Sequence, residues 1–224
     1  MALVYLGLVA GCGSTQPTLM PKGLETVSVE QVNRWVGFTA PKTGALHRFT
    51  WLYQDEAASK GGRGSTRVAV PDSMRFDIAG SLGIGKGSAF VVGEARVWVQ
   101  PDKAVEDLVP SYPLLWSLVG VALKPPADAK LTGLQLEGRA AWQYASGADT
   151  VSYLRIDGNP STLSAEVRRA GKVIGRTTTT VRPDGSPVKA QLQVPSVPAK
   201  LEVTYYATVP TQAFPPDTWV RPEP

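Results

Sequence analysis

Few residues in this chain have types and spacing that could do chemistry. The sequence holds one cysteine, Cys12, and one histidine, His47. A structural zinc site takes four Cys/His-type ligands and a catalytic one usually takes several histidines, so no such ligand set exists here. A thiolate–imidazole nucleophile would require Cys12 folded against His47, yet Cys12 lies in a tail rich in Gly, Ser, Thr and Pro. His47 starts a strand expected over 46–54 and reads as a strand-end surface residue. The run GIGKGS (83–88) looks like a phosphate loop, but Lys86 is followed by Gly87 and the next residues, 89–92, have strand character. A phosphate loop needs Gly-Lys-Ser/Thr at a strand-to-helix switch, so a Gly-rich hairpin is the better reading. There is no Gly-x-Ser-x-Gly elbow. The carboxylates are scattered, and nothing selects a pair for acid–base work. No catalytic residue, cofactor or metal is assigned, and the expected class is a non-enzyme.

Cys12 has a different use. Residues 1–11, MALVYLGLVAG, are apolar and uncharged, about half the length of a membrane-spanning helix. They read as the apolar core of a secretory signal. Small residues then lead into the cysteine: Val9, Ala10, Gly11, Cys12. This resembles the bacterial lipobox, in which the cysteine thiol is alkylated by a diacylglycerol and the chain is cut just before it. Small side chains let the backbone into a protease cleft, and the thiolate is the nucleophile. Acyl chains on one residue then hold the protein on a bilayer. The segment before Cys12 is short and lacks a basic region, which points to a start upstream of Met1. Residues 13–23, GSTQPTLMPKG, have the composition of a flexible tether. By resemblance to enterobacterial sorting, the absence of Asp after the cysteine favours the outer membrane.

The chain has 224 residues, 43% hydrophobic and 19% charged, enough for an ordinary buried core. The net charge of +4 supports loose attraction to anionic lipid surfaces or acidic partners. No Lys/Arg-rich block or basic helical stripe is present, which argues against nucleic-acid binding.

The elements follow from periodicity. Ser28 and Gln31 form a capping-box signal, and Val29, Val32, Trp35 and Val36 recur at helical spacing, predicting a helix over 28–37. Alternation dominates afterwards. Phe49, Trp51 and Tyr53 share a face, as do Met74, Phe76 and Ile78, and Leu163, Ala165 and Val167. Leu134, Leu136, Ala140, Trp142 and Tyr144 are read as one face of a further stretch. Clean alternation marks antiparallel sheet with one buried side. Hairpins are expected at 170–172 and 183–186, and roughly ten strands in all. Residues 101–126 interrupt the strands. Asp102 caps a short expected helix. A second helix, over 113–121 with Pro113 in its first turn, carries Leu114, Leu115, Trp116, Leu118, Val119 and Val121 and has almost no polar face. Such a helix must be buried, and the simplest place is the concave side of a curved sheet.

The run 62–121 resembles the LolA/LolB lipoprotein-carrier superfamily. The matching pieces are Gly62 to Gly64, PDSMRFDI (71–78), the Gly-rich hairpin at 80–87 and a strand leading into a helical lid. The resemblance implies a mainly β (α+β) fold: a single curved antiparallel sheet forming an open half-barrel, with a few short helices closing the concave face over an apolar cavity. The expected organisation is a signal remnant (1–11), a lipidated tether (12–23), a half-barrel domain (24–209) and a Pro-rich tail (210–224). The expected function is binding of lipid or lipoprotein acyl chains by an outer-membrane, periplasm-facing lipoprotein anchored at Cys12, with a role in lipoprotein or lipid trafficking and an envelope protein as a further partner. The lipid-lining residues assigned on this basis are Trp51, Phe76, Phe90, Leu115, Trp116 and Trp142. The alternative is an envelope scaffold with the same fold and a cavity filled by side chains. Cavity volume separates the two.

Overall fold

The computed structural model of the chain describes residues 19–80, 86–93, 96–100, 111–195 and 198–220. Cys12, the apolar segment before it and the helix expected after Asp102 lie outside the described residues.

Thirteen strands form one antiparallel sheet. A meander of β2 (Gly44–Gln54), β3 (Ser59–Ala69), β4 (Ser73–Gly80), β5 (Lys86–Val92) and β6 (Arg96–Gln100) comes first. A second meander runs through β7 (Lys130–Leu136), β8 (Arg139–Ser146), β9 (Asp149–Ile156), β10 (Ser161–Arg169), β11 (Lys172–Val181), β12 (Pro187–Val194) and β13 (Ala199–Thr211). The seam is long-range: β13 pairs with β2, setting Tyr205 opposite Phe49 and Val203 opposite Trp51. The short β1 (Glu25–Thr26) lies at the edge beside β7, and β6 forms the other edge. The two edge strands do not pair with each other, so the sheet stays open.

Two helices are described. α1 (Val29–Gly37) starts where predicted, with the Gln31 amide donating to Ser28 Oγ at 3.2 Å, and it buries Val32, Trp35 and Val36. α2 (Tyr112–Ser117) carries proline in its first turn. It is shorter than the expected 113–121. After Leu118 the chain turns through Gly120, whose φ of +78° suits glycine and whose missing Cβ leaves room for Val181 Cγ2, 2.4 Å from where that carbon would sit.

The inner face of the sheet is apolar. Phe49, Met74, Phe76, Trp142, Tyr153, Leu163, Ala165, Leu192, Leu201 and Val203 are all essentially excluded from solvent and form one contiguous core with the buried residues of both helices. Three expectations need correction. Among the described residues the strands number thirteen rather than roughly ten. Leu134 and Leu136 do not share a face with Ala140, Trp142 and Tyr144. The chain reverses at Glu137–Gly138, where Gly138 adopts φ +67°, and Leu134 pairs with Ala141 while Gly133 pairs with Trp142. One stretch of alternation was really two strands, and the turn between them reset the phase. His47 is not a surface residue either. It is 6% exposed, because β2 begins at Gly44 and His47 shares the parity of Ala45 and Phe49.

Candidate functional site

The concave face is occupied. α2 packs against β10 and β11, and Leu114, Leu115, Trp116, Leu118, Val119 and Ala122 are buried there. A segment this apolar goes inside because exposing each large side chain costs about 1.5–3 kcal/mol. Its backbone is also held. The Tyr205 hydroxyl donates to Leu118 O at 2.8 Å and Thr179 Oγ1 donates to Ser117 O at 2.5 Å. The Leu123 amide donates to the Tyr153 hydroxyl at 3.2 Å, and the Ala122 amide to Thr39 Oγ1 at 2.9 Å. These contacts satisfy the carbonyls and amides left over where α2 ends. Burial pushes the Tyr205 and Tyr153 hydroxyls well above the usual phenol range and the Tyr144 hydroxyl up to about 12. All three act as neutral hydrogen-bonding groups at any ordinary pH.

A cleft of about 380 Å³ opens at one end of the sheet, beside this segment. Its walls include Val68 at the end of β3, Val119 and Val121 after α2, Leu163 at the start of β10 and Val181 at the end of β11. The loop 38–43 after α1 and the turn 182–186 form its rim, with Lys42, Arg155, Asp157, Arg182 and Asp184. The rim charges are partly matched. Arg155 Nη1 lies 2.7 Å from Asp157 Oδ1, and the guanidinium sits 5.1 Å from the centre of the Phe38 ring. Asp184 Oδ1 accepts from the Ser186 hydroxyl at 2.6 Å and amide at 2.8 Å, and these bonds hold its carboxyl below the usual range. The result is a slot of mixed polarity, with valine and leucine side chains on its inner walls and charged and hydroxyl groups toward its rim.

His47 also lines this cleft. Its Nδ1 is 3.0 Å from Thr208 Oγ1. Burial lowers its pKa to about 4, against the opposing pull of Asp184, so the ring is neutral at pH 7. The hydroxyl–imidazole contact is the only hint of a nucleophile and base near the slot. With Asp184 Oδ1 engaged by Ser186, that carboxylate acts on the ring through charge. Among the described residues no cluster of three His, Cys, Asp or Glu could hold a metal ion.

The residues assigned from sequence fall elsewhere. Phe76, Leu115, Trp116 and Trp142 belong to the contiguous core, and Trp51 packs against it half-buried, its Nε1 shared between Arg63 O and Ala79 O at 3.2 Å each. Phe90 is separated from them. It pairs with Arg75 while its neighbours Ala89 and Val91 pair with Phe76 and Met74, so its side chain leaves the opposite face. None of the six lines the cleft. Sequence reasoning missed the cleft because its lining comes from strand ends and loops that meet only in three dimensions. The turn at 183–186 was the one part with a local signal.

No family model matches the chain, and no curated protein is similar to it. Solved structures are. One is a LolA superfamily protein from Nitrosomonas europaea, at 7% identity and a TM-score of 0.39, covering 87% of this chain and 98% of that one. Another is a Vibrio parahaemolyticus domain assigned to outer membrane lipoprotein sorting, at 7% identity and a TM-score of 0.35, covering 85% and 97%. A DUF1329 family protein from Desulfovibrio piger, at 5% identity and a TM-score of 0.35, covers 86% and 95%.

Proposed function

We propose that this chain is a non-catalytic lipid- or lipoprotein-binding module of the bacterial envelope, tethered through Cys12, that takes an acyl chain at the end of its half-barrel. The observation that carries this is the slot whose inner walls are aliphatic and whose rim is charged, reached by Val119 and Val121 of the buried segment after α2. Lys42, Arg155 and Arg182 at the rim suit an anionic or zwitterionic polar end, and the valine-lined wall suits the chain. Two further features support it. Among the described residues, Thr66 Oγ1, Thr177 Oγ1 and Trp142 Nε1 are buried on the inner face without a hydrogen-bond partner, and such orphans are costly in an interior meant only for packing. The energetics also balance. Withdrawing Leu114, Leu115, Trp116 and Leu118 would cost about 6–12 kcal/mol, and for an acyl chain presented in water, burial of sixteen carbons at about 0.8 kcal/mol per CH₂ recovers about as much. In such a state Trp51, Phe76, Trp142, Leu115 and Trp116 would face the ligand. Phe90 would not.

The second reading is the scaffold, favoured by one observation: four hydrogen bonds, two of them fully buried, pin the segment 117–123 to the sheet and to the loop after α1. Native mass spectrometry of the full chain, extracted gently from membranes of a bacterial host, separates the two. The expected spectrum carries a covalent diacylglyceryl and acyl mass on Cys12 and a second, non-covalent lipid mass. That second mass should fall several-fold in Ala40→Trp, which crowds the rim from an exposed position. A wild-type chain with no retained lipid, under conditions that keep it folded, would mean the scaffold.

A further inference from the structure

The outer face of strands β2–β5 carries an unabsorbed surplus of positive charge. A second cleft, of about 470 Å³, opens there and is lined by Arg48, Arg63, Arg67 and Lys86 around a single carboxylate, Asp77. Asp77 is already used. Arg67 Nη1 lies 2.6 Å from its Oδ2, Arg75 Nε lies 2.9 Å from its Oδ1, and the Ser88 hydroxyl donates to Oδ1 at 2.5 Å. Arg48, Arg63 and Lys86 are exposed and, among the described residues, take part in no ion pair. Lys86 is the lysine of the run GIGKGS, so the one phosphate-loop-like motif in the sequence contributes to this cleft after all, from a strand. Beside the cations sit exposed apolar groups: Tyr206, 58% exposed at the irregularity in β13, with Leu52 and Val209. Leu52 shares the parity of Arg48, and Val209 pairs with Leu46 on the same face.

We infer that this outer face docks on an anionic lipid bilayer, with Arg48, Arg63 and Lys86 against headgroup phosphates and Tyr206 in the interfacial layer. Cations interleaved with an exposed aromatic and aliphatic side chains are what a membrane-surface contact needs, the first for the surface potential and the second for the headgroup–acyl boundary. A soluble phosphate would ask instead for buried, converging donors, and the three free cations here are exposed. Docking by this face leaves the opposite, helix-covered face of the sheet directed away from the bilayer.

The test is partition of the full-length Cys12→Ser chain onto vesicles of phosphatidylcholine with and without phosphatidylglycerol, at low salt. Each cation near an anionic surface contributes a factor of about five. Arg48→Ser/Arg63→Ser/Lys86→Ser should therefore weaken partition onto the anionic vesicles about 100-fold and leave the neutral vesicles unaffected. A control with the same loss of charge, Lys130→Ser/Arg139→Ser/Lys172→Ser, should lose no more than about threefold. Arg48→Lys/Arg63→Lys keeps the charge and should keep the binding, whereas a site reading phosphate geometry would lose it. The three changes are on the surface, and an unchanged urea midpoint confirms the fold; if the triple variant unfolds, Tyr206→Ser alone should still weaken anionic partition several-fold. Equal losses in the two triple variants, no preference for phosphatidylglycerol, or equally tight binding of glycerol phosphate or an acidic peptide would overturn the inference.

Discussion

Strands β10–β11 and β3–β4 each hold a carboxylate between two arginines on the outer face of the sheet, and they end in different places. Glu166 is 1% exposed, with Arg168 Nε at 2.6 Å from Oε1 and Arg176 paired to Oε2. Asp77 sits between Arg67 and Arg75 with a side chain 24% exposed. Around Glu166 the neighbours are neutral: Ser152 accepts from Gln143 at 2.8 Å, and the Ser164 and Thr178 hydroxyls meet at 3.2 Å. Around Asp77 stand three further cations, Arg48, Arg63 and Lys86, that form no ion pair among the described residues. Each carboxylate with its two arginines carries a net charge of +1, so the two regions differ in burial and in the further cations beside Asp77. A half-open cluster with surplus cations projects a field, and that is a surface for a partner. The inner faces differ as well. β10 and β11 are covered by α2. On β2 and β4 the Phe49 and Phe76 rings stack at 4.9 Å, and Trp51 stays half-buried.

The largest effect that could break this contrast is a cavity in the covered half. Trp142 is fully buried, stacked on Tyr153 with ring centres 5.3 Å apart and 6.0 Å from Trp35. Trp142→Ala should cost about 3–5 kcal/mol in urea unfolding, and Trp51→Ala, in the other half, only about 1–2 kcal/mol for its smaller buried area. Equal losses would mean that the two halves are packed alike.

The seam between the halves offers the next test. His47 lies on β2, with Thr208 of β13 opposite it. Its folded pKa is lowered from 6.5 to about 4, so the fold favours the neutral ring and the unfolded chain takes up the extra proton between those values. Stability is therefore complete above about pH 6.5 and falls as the pH drops toward 4, by about 3 kcal/mol in total. His47→Gln should flatten that part of the profile. An identical acid profile in the variant would assign the loss to carboxylates instead.

The smallest predicted effect concerns the hold on the buried segment. Tyr205→Phe removes the hydroxyl that reaches Leu118 O and leaves that carbonyl buried, a loss of about 1–2 kcal/mol. Amide exchange around residues 118–122 should quicken while β10 stays protected. Unchanged exchange there would show that packing alone holds the segment.

Much of the fold was legible in the chain. The alternation in 49–53, 74–78 and 163–167 put the right residues inside, because a half-buried strand has a strict period of two and any polar residue at the wrong parity is costly. Ser28 and Gln31 marked the start of α1 because an N-cap hydroxyl meets a specific amide. The apolar run 114–121 announced its own burial. Alternation gives relative parity only within one strand, and this is where the reading failed. Leu134 and Leu136 were assigned across a turn, His47 was judged without knowing where its strand began, and Phe90 was chosen for its ring rather than its parity. The end cleft escaped altogether.

What the sequence determined by itself was the fold class: antiparallel strands, one capped helix and one apolar helix needing a cover. These are local properties, decided by side-chain type and spacing over a few residues. The tertiary structure alone decided that β13 closes onto β2, that Tyr153, Thr179 and Tyr205 converge on one buried segment, and that Arg48, Arg63 and Lys86 gather in one cleft around Asp77, a carboxylate already engaged by Arg67 and Arg75. Each of those facts joins residues far apart in the chain. Register between distant strands is set by the packing of the whole inner face rather than by any stretch of sequence within it.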